Sequence, residues 1–177
     1  MFLLYLFNVI LFYDTKMKQE SNVFMDREKK ETCFINRNRL NNVHHNILIV
    51  DDDDDIVDCF KYIFEFEGFK IECAHGPDEA LDKAREKKYV IAILDYILPN
   101  MRGDELAEKL NSIDDSINLI FISGYNDAEE TIIRKGINAH RFFMKPINPE
   151  SLIDAIKSIV VEPPYTYTPV PQALAIV

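Results

Sequence analysis

This chain has little cysteine, little basic charge in its main body and no apolar run of membrane-spanning length. Cys33, Cys59 and Cys73 are an odd number without CxxC or Cys/His spacing, which excludes a disulfide framework and the usual zinc sites. Cys59 and Cys73 fall inside apolar segments and read as small buried thiols. That usage suits a reducing compartment, and the expected location is cytoplasmic. Over residues 47–161 there are 13 Lys and Arg against 24 Asp and Glu. A body this acidic argues against nonspecific nucleic-acid binding, which needs cations to neutralise phosphates. The longest apolar stretch, Met1–Tyr13, has twelve apolar residues in thirteen, short of the roughly 20 a spanning helix requires. It has no basic n-region and no Ala-x-Ala site. It reads as a packing appendage, or as sequence ahead of a later start at Met17 or Met25. Contact of residues 1–13 with a membrane is the less favoured reading.

What is present is a regular alternation in one stretch. Residues 1–45 read as an N-terminal extension and linker, apolar at the start and Asn-rich at the end; its His44 and His45 have no nearby metal-ligand partners. From residue 46 short apolar strands alternate with amphipathic helices. The strands are expected at Ile47–Val50, Phe69–Cys73, Tyr89–Leu94, Ile117–Ile122 and Arg141–Met144. The first helix should start at a cap on Asp55 and stop at Gly68, and the second should open at Pro77. Asp104 should cap the third, Asp127–Lys135 should be the fourth, and Pro149 should begin the last. Between Leu94 and Asp104 a loop with Pro99 and Gly103 is expected. Five βα units imply a doubly wound α/β fold, a five-stranded parallel sheet with helices on both faces. The domain is placed at 46–161, followed by a Pro-rich tail at 162–177.

In a parallel sheet all strand C-termini meet at one edge, where open α/β folds place ligand chemistry. Those ends carry Asp51 and Asp52, Asp95, Ser123 and Lys145. Carboxylates gathered there need a divalent cation or a proton between them, and Mg²⁺ prefers oxygen ligands beside phosphate. The set suits a carboxylate that accepts a phosphoryl group, with a metal and Lys145 offsetting charge and Ser123 donating a hydrogen bond.

The runs Ile47-Leu48-Ile49-Val50-Asp51-Asp52, Leu94-Asp95-Tyr96-Ile97-Leu98-Pro99 with Met101 and Gly103, Ile122-Ser123-Gly124 and Phe143-Met144-Lys145-Pro146 resemble the receiver domain of two-component response regulators. The resemblance implies a flavodoxin-like sheet of order 2-1-3-4-5. It implies Asp95 as phosphoacceptor, with Asp52, Asp95 and the backbone carbonyl of Ile97 as direct ligands of Mg²⁺ (or Mn²⁺) and Asp51 acting on the ion through water. Ser123 and Lys145 would touch the phosphoryl group, Lys145–Pro146 would be a cis peptide bond, and Ser123 with Phe142 would form the switch. The implied partners are a sensor histidine kinase or phosphotransfer protein and a downstream protein effector.

Plainer readings apply to several of these residues. Asp53 and Asp54 are expected to be solvated loop, Phe142 is as readily a core aromatic, and His75 and His140 read as unpaired structural residues. An EF-hand fails because Ile56 stands where glycine is needed. A flavin site fails because five aspartates follow the first strand. The function expected is a single-domain response regulator, catalysing only its own Mg-dependent phosphorylation and dephosphorylation. The alternative is a receiver-like interaction module that works without phosphorylation.

Overall fold

The structure is a computed structural model that describes residues 46–160, together with Leu11 and Thr15. Its strands are β1 Asn46–Val50, β2 Lys70–Ala74, β3 Ile91–Asp95, β4 Ile97–Leu98, β5 Met101–Arg102, β6 Asn118–Ser123 and β7 Ala139–Met144. Its helices are α1 Asp54–Phe66, α2 Pro77–Glu86, α3 Gly103–Ile113, α4 Ala128–Arg134 and α5 Pro149–Val160. Five strands pair in parallel in the order β2-β1-β3-β6-β7. That is the expected 2-1-3-4-5 once the short β4–β5 ribbon is passed over.

Alternation along each strand splits the core into two layers. Ile47, Ile49, Ile91, Ile93, Ile120 and Ile122 face α1 and α5, where Phe60, Ile63, Phe64, Leu152 and Ile156 close over them. Leu48, Val50, Ala92, Leu94, Leu119 and Phe121 face α2, α3 and α4. Every residue of β3 is buried, as the continuous apolar run requires of a central strand. The edge strand β7 is only half-buried.

Several local expectations are corrected. Asp53, not Asp55, caps α1: its Oδ1 accepts from the amides of Asp55 at 3.0 Å and Ile56 at 3.3 Å. A cap must precede the helical residues, and α1 begins at Asp54, before the apolar periodicity does. Asp104 does not cap α3. The Gly103 amide already bonds to the Tyr96 carbonyl at 2.8 Å, so the helix starts earlier and Asp104 lies buried in its first turn. The loop before α3 contains the ribbon β4–β5, turned by Pro99 and Asn100. Asn100 has φ 64°, the left-handed conformation asparagine tolerates. β7 starts two residues earlier than the apolar run, with a register shift opposite Leu119 and Ile120. Cys59 is buried, whereas Cys73 is only partly so. His75 and His140 are both paired, to Asp54 Oδ1 at 2.8 Å and Ser158 Oγ at 3.2 Å. The expectations for Met1–Tyr13, His44, His45 and residues 162–177 lie outside the described residues, apart from Leu11. Among the described residues no helix is long and apolar enough to cross a membrane.

Candidate functional site

The sheet ladder continues one step past several strand ends and so holds the residues there. Asp51 N donates to Ala74 O at 3.3 Å, Tyr96 N to Ile122 O at 2.9 Å, and Lys145 N to Ser123 O at 2.7 Å. Asp51, Asp95, Ser123 and Lys145 are thereby brought to one rim on rigid backbone. Burial follows from that place at the ends of central strands: Asp51 is 3%, Asp95 7% and Ser123 1% exposed.

Lys145 joins the two buried acids. Its Nζ lies 2.9 Å from Asp51 Oδ2 and 2.7 Å from Asp95 Oδ1. The remaining oxygens take backbone donors, Asp53 N to Asp51 Oδ1 at 3.0 Å and Ile97 N to Asp95 Oδ2 at 2.9 Å. Asp52 is exposed beside them, and one oxygen from each of Asp51, Asp52 and Asp95 lies within 4.8 Å of the others. Burial pushes the Asp51 carboxyl above its ordinary value, even though Lys145 pulls the other way. Burial also works against the Lys145 ammonium, but the Asp51 and Asp95 carboxylates outweigh it and hold its pKa up. The cation is thus fixed where two carboxylates need it.

These donors fit a hard divalent cation. Mg–O bonds of about 2.0–2.1 Å set cis oxygens about 3 Å apart and trans ones about 4 Å apart. Oxygens of three carboxylates gathered within 4.8 Å of one another are the hard donors such an ion takes.

Ser123 is placed differently from a helix cap. Its Oγ accepts from Tyr125 N at 2.9 Å and lies 3.5 Å from Tyr125 O, inside the turn that leads to α4. Phe142 is half-buried against the α2–α3–α4 layer, and the Lys145–Pro146 bond is cis. Ile97 presents a side chain 41% exposed, and Tyr125 is 56% exposed.

Two features escaped the sequence reading. Gly103 packs against the phosphoacceptor candidate's own backbone: a Cβ there would stand 2.4 Å from Asp95 O. The sequence signal for it was its place in the motif that begins at Leu94. The buried Asp104 pairs through Oδ2 with Lys135 Nζ at 2.7 Å, and nothing at a separation of 31 residues announces such a pair.

A family model described as the response regulator receiver domain matches residues 47–157. Sporulation initiation phosphotransferase F of Bacillus subtilis is 29% identical over 115 residues, covering 65% of this chain and 93% of that protein. Response regulator SaeR of Staphylococcus epidermidis is 31% identical over 108 residues, 61% of this chain and 47% of that one. The chain spans about half the length of the first curated relatives it matches, several of them named as transcriptional regulators. Among solved structures, a CheY-like receiver domain protein from Methanospirillum hungatei is 37% identical with TM-score 0.62, over 66% of this chain and 93% of that one. The response regulator TrrA of Thermotoga maritima, solved in complex with Mg²⁺-BeF, is 26% identical with TM-score 0.60, over 66% and 99%.

Proposed function

The chain belongs to the response regulator receiver domain family, and from that premise we propose that it relays a signal by carrying a phosphoryl group on Asp95. The observation that carries this reading is the Lys145 ammonium bridging Asp51 and Asp95, with the Asp52 carboxylate alongside. A buried carboxylate is a competent nucleophile toward phosphorus when cations flank it. An Asp95 oxygen forms the new P–O bond as the donor's P–N bond breaks, and the donor imidazole, already protonated on its other ring nitrogen, takes the bonding pair and leaves neutral. The donor is a sensor histidine kinase or a phosphotransfer protein.

Lys145 keeps its proton throughout and faces the incoming oxygens as a fixed positive charge. The Ile97 amide steadies the other Asp95 oxygen. Ser123 turns its hydroxyl proton toward a phosphoryl oxygen, which loosens its bond to the Tyr125 turn. Asp52, Asp95 and the Ile97 carbonyl would hold Mg²⁺ or Mn²⁺ directly, with Asp51 acting through water. Bound there, the ion would supply charge neutralisation for the phosphoryl oxygens.

The product adds nearly two negative charges to the rim. Ser123 and Phe142 carry that change to α4, β7 and α5, and a protein effector reads it there. The acidic body argues for output through protein contact and not through this domain binding DNA. Beyond its own phosphorylation and dephosphorylation the protein is a cytoplasmic signalling molecule, not a turnover enzyme.

The test is incubation with acetyl phosphate and Mg²⁺, followed by intact mass. The wild type should gain one phosphoryl group and Asp95→Ala none. If neither acetyl phosphate nor beryllofluoride alters the wild type, the phosphorylation-independent interaction module is the better reading.

A further inference from the structure

Helix α4 is the most weakly anchored helix of the described residues. It has seven residues, of which only Ala128 and Ile132 are buried, against six in α1 and six in α5. So short a segment has little helical stability of its own, and its hold depends on how its ends are fixed. At the front, the Ala128 amide reaches back to the Tyr125 carbonyl at 3.4 Å, in the turn whose Tyr125 amide is bonded to Ser123 Oγ. At the rear, Lys135 forms the cap and its ammonium reaches Asp104 Oδ2 at 2.7 Å and Glu108 Oε1 at 3.3 Å.

Asp104 is itself rooted at the site. It follows Gly103, which leaves no room for a Cβ above the Asp95 carbonyl. Its carboxylate is 2% exposed, and its second oxygen, Oδ1, meets no donor among the described residues. A buried acid with half its hydrogen-bonding capacity unused is a poor device for stability. It is, however, directional, and it ties the far end of α4 to the segment that carries Asp95.

We propose that the Lys135–Asp104 ion pair is a tether that holds α4 in the arrangement seen here, so that charging Asp95 must work against it. This rests on the phosphoacceptor reading for its trigger. Drawing the Ser123 hydroxyl toward an anion on Asp95 disturbs the Tyr125 turn at one end of α4, while the tether restrains the other. The pair sets how much of the gain from loading the site is spent on releasing the helix.

The experiment uses the full chain and the double variant Asp104→Leu/Lys135→Met, which leaves no buried charge behind. Hydrogen exchange without metal or phosphoryl donor reads the tether alone. Amides of Thr131–Ile137 should exchange about fivefold faster, the effect of losing a pair of this class, with the urea midpoint little changed. Lys135→Arg, which keeps charge and reach, should exchange as the wild type does. Titration with Mg²⁺ and beryllofluoride reads the coupling, and the double variant should bind severalfold more tightly. Unchanged exchange overturns the tether, and unchanged or weaker beryllofluoride binding overturns its opposition to loading. A wild type that ignores beryllofluoride sinks the phosphoacceptor reading instead, while the exchange comparison still decides whether α4 is tethered. If the double variant does not fold, Asp104→Asn alone serves for both readouts, since it removes the buried charge and leaves only the partly exposed Lys135 without that partner.

Discussion

Lys145 is the residue on which the site's electrostatics turn. Its ammonium serves two buried carboxylates at 2.9 and 2.7 Å, so Lys145→Met leaves Asp51 and Asp95 facing each other without a cation. Breaking a fully buried pair costs roughly 3–5 kcal/mol. Lys145 keeps partial access to solvent, so a loss below that range is expected in urea unfolding at neutral pH without metal. Added Mg²⁺ should recover more stability in the variant than in the wild type. Gly103 is the second sensitive position. Gly103→Ala drives a methyl into the Asp95 carbonyl and should cost roughly 1–3 kcal/mol, as overpacking does; its phosphorylation rate should fall with it. Ile97 is expected to act on the lifetime of the phosphoryl group proposed on Asp95. Its exposed side chain offers an attacking water no hydrogen bond, so the acyl phosphate should persist, and Ile97→Asn should shorten its decay severalfold. A wild-type phosphoryl lifetime of only seconds counts against this.

At the scale of elements, α1 depends on one cap and β2–β3 on one polar cluster. Asp53→Ala removes the acceptor for two amides and should cost roughly 1 kcal/mol, the usual worth of an N-cap. Glu72 on β2 accepts from the Tyr89 hydroxyl and pairs with Lys87. Burial works to raise the Glu72 carboxyl, but Lys87 and Tyr89 outweigh it and hold it below the ordinary glutamate value of 4.5. A depressed folded pKa means the unfolded chain binds this proton first as pH falls. The stabilisation is therefore complete above about pH 4.5 and drains away below it. In urea unfolding between pH 3 and 7, Glu72→Gln should flatten that part of the acid limb. The helices themselves were readable because apolar residues recur at helical spacing in α1 and α5. Their starts were less so: Asp53, Asp54 and Asp55 are chemically alike, and only backbone geometry decides which one caps. The β4–β5 ribbon was missed because two residues per strand carry no period.

At the scale of the whole molecule, the described residues 47–160 supply both layers of a closed core. The stretch 46–161 should consequently fold alone, with one cooperative urea transition at the midpoint of the full chain. A lower midpoint would mean that the flanking segments pack on the domain. The sequence by itself determined that five βα units form a parallel sheet, and that acids, a hydroxyl and a lysine end up on its edge. Parallel pairing forces every strand terminus to one side, so chain order is enough. Tertiary structure alone decided that Lys145 bridges Asp51 with Asp95, that Ser123 is held by Tyr125, and that Asp104 is buried against Lys135. The ion pairs join residues 31 to 94 positions apart, and the Ser123 contact depends on which way its hydroxyl group turns. Local periodicity reports which face is apolar. It cannot report which two charges meet once the layers have closed.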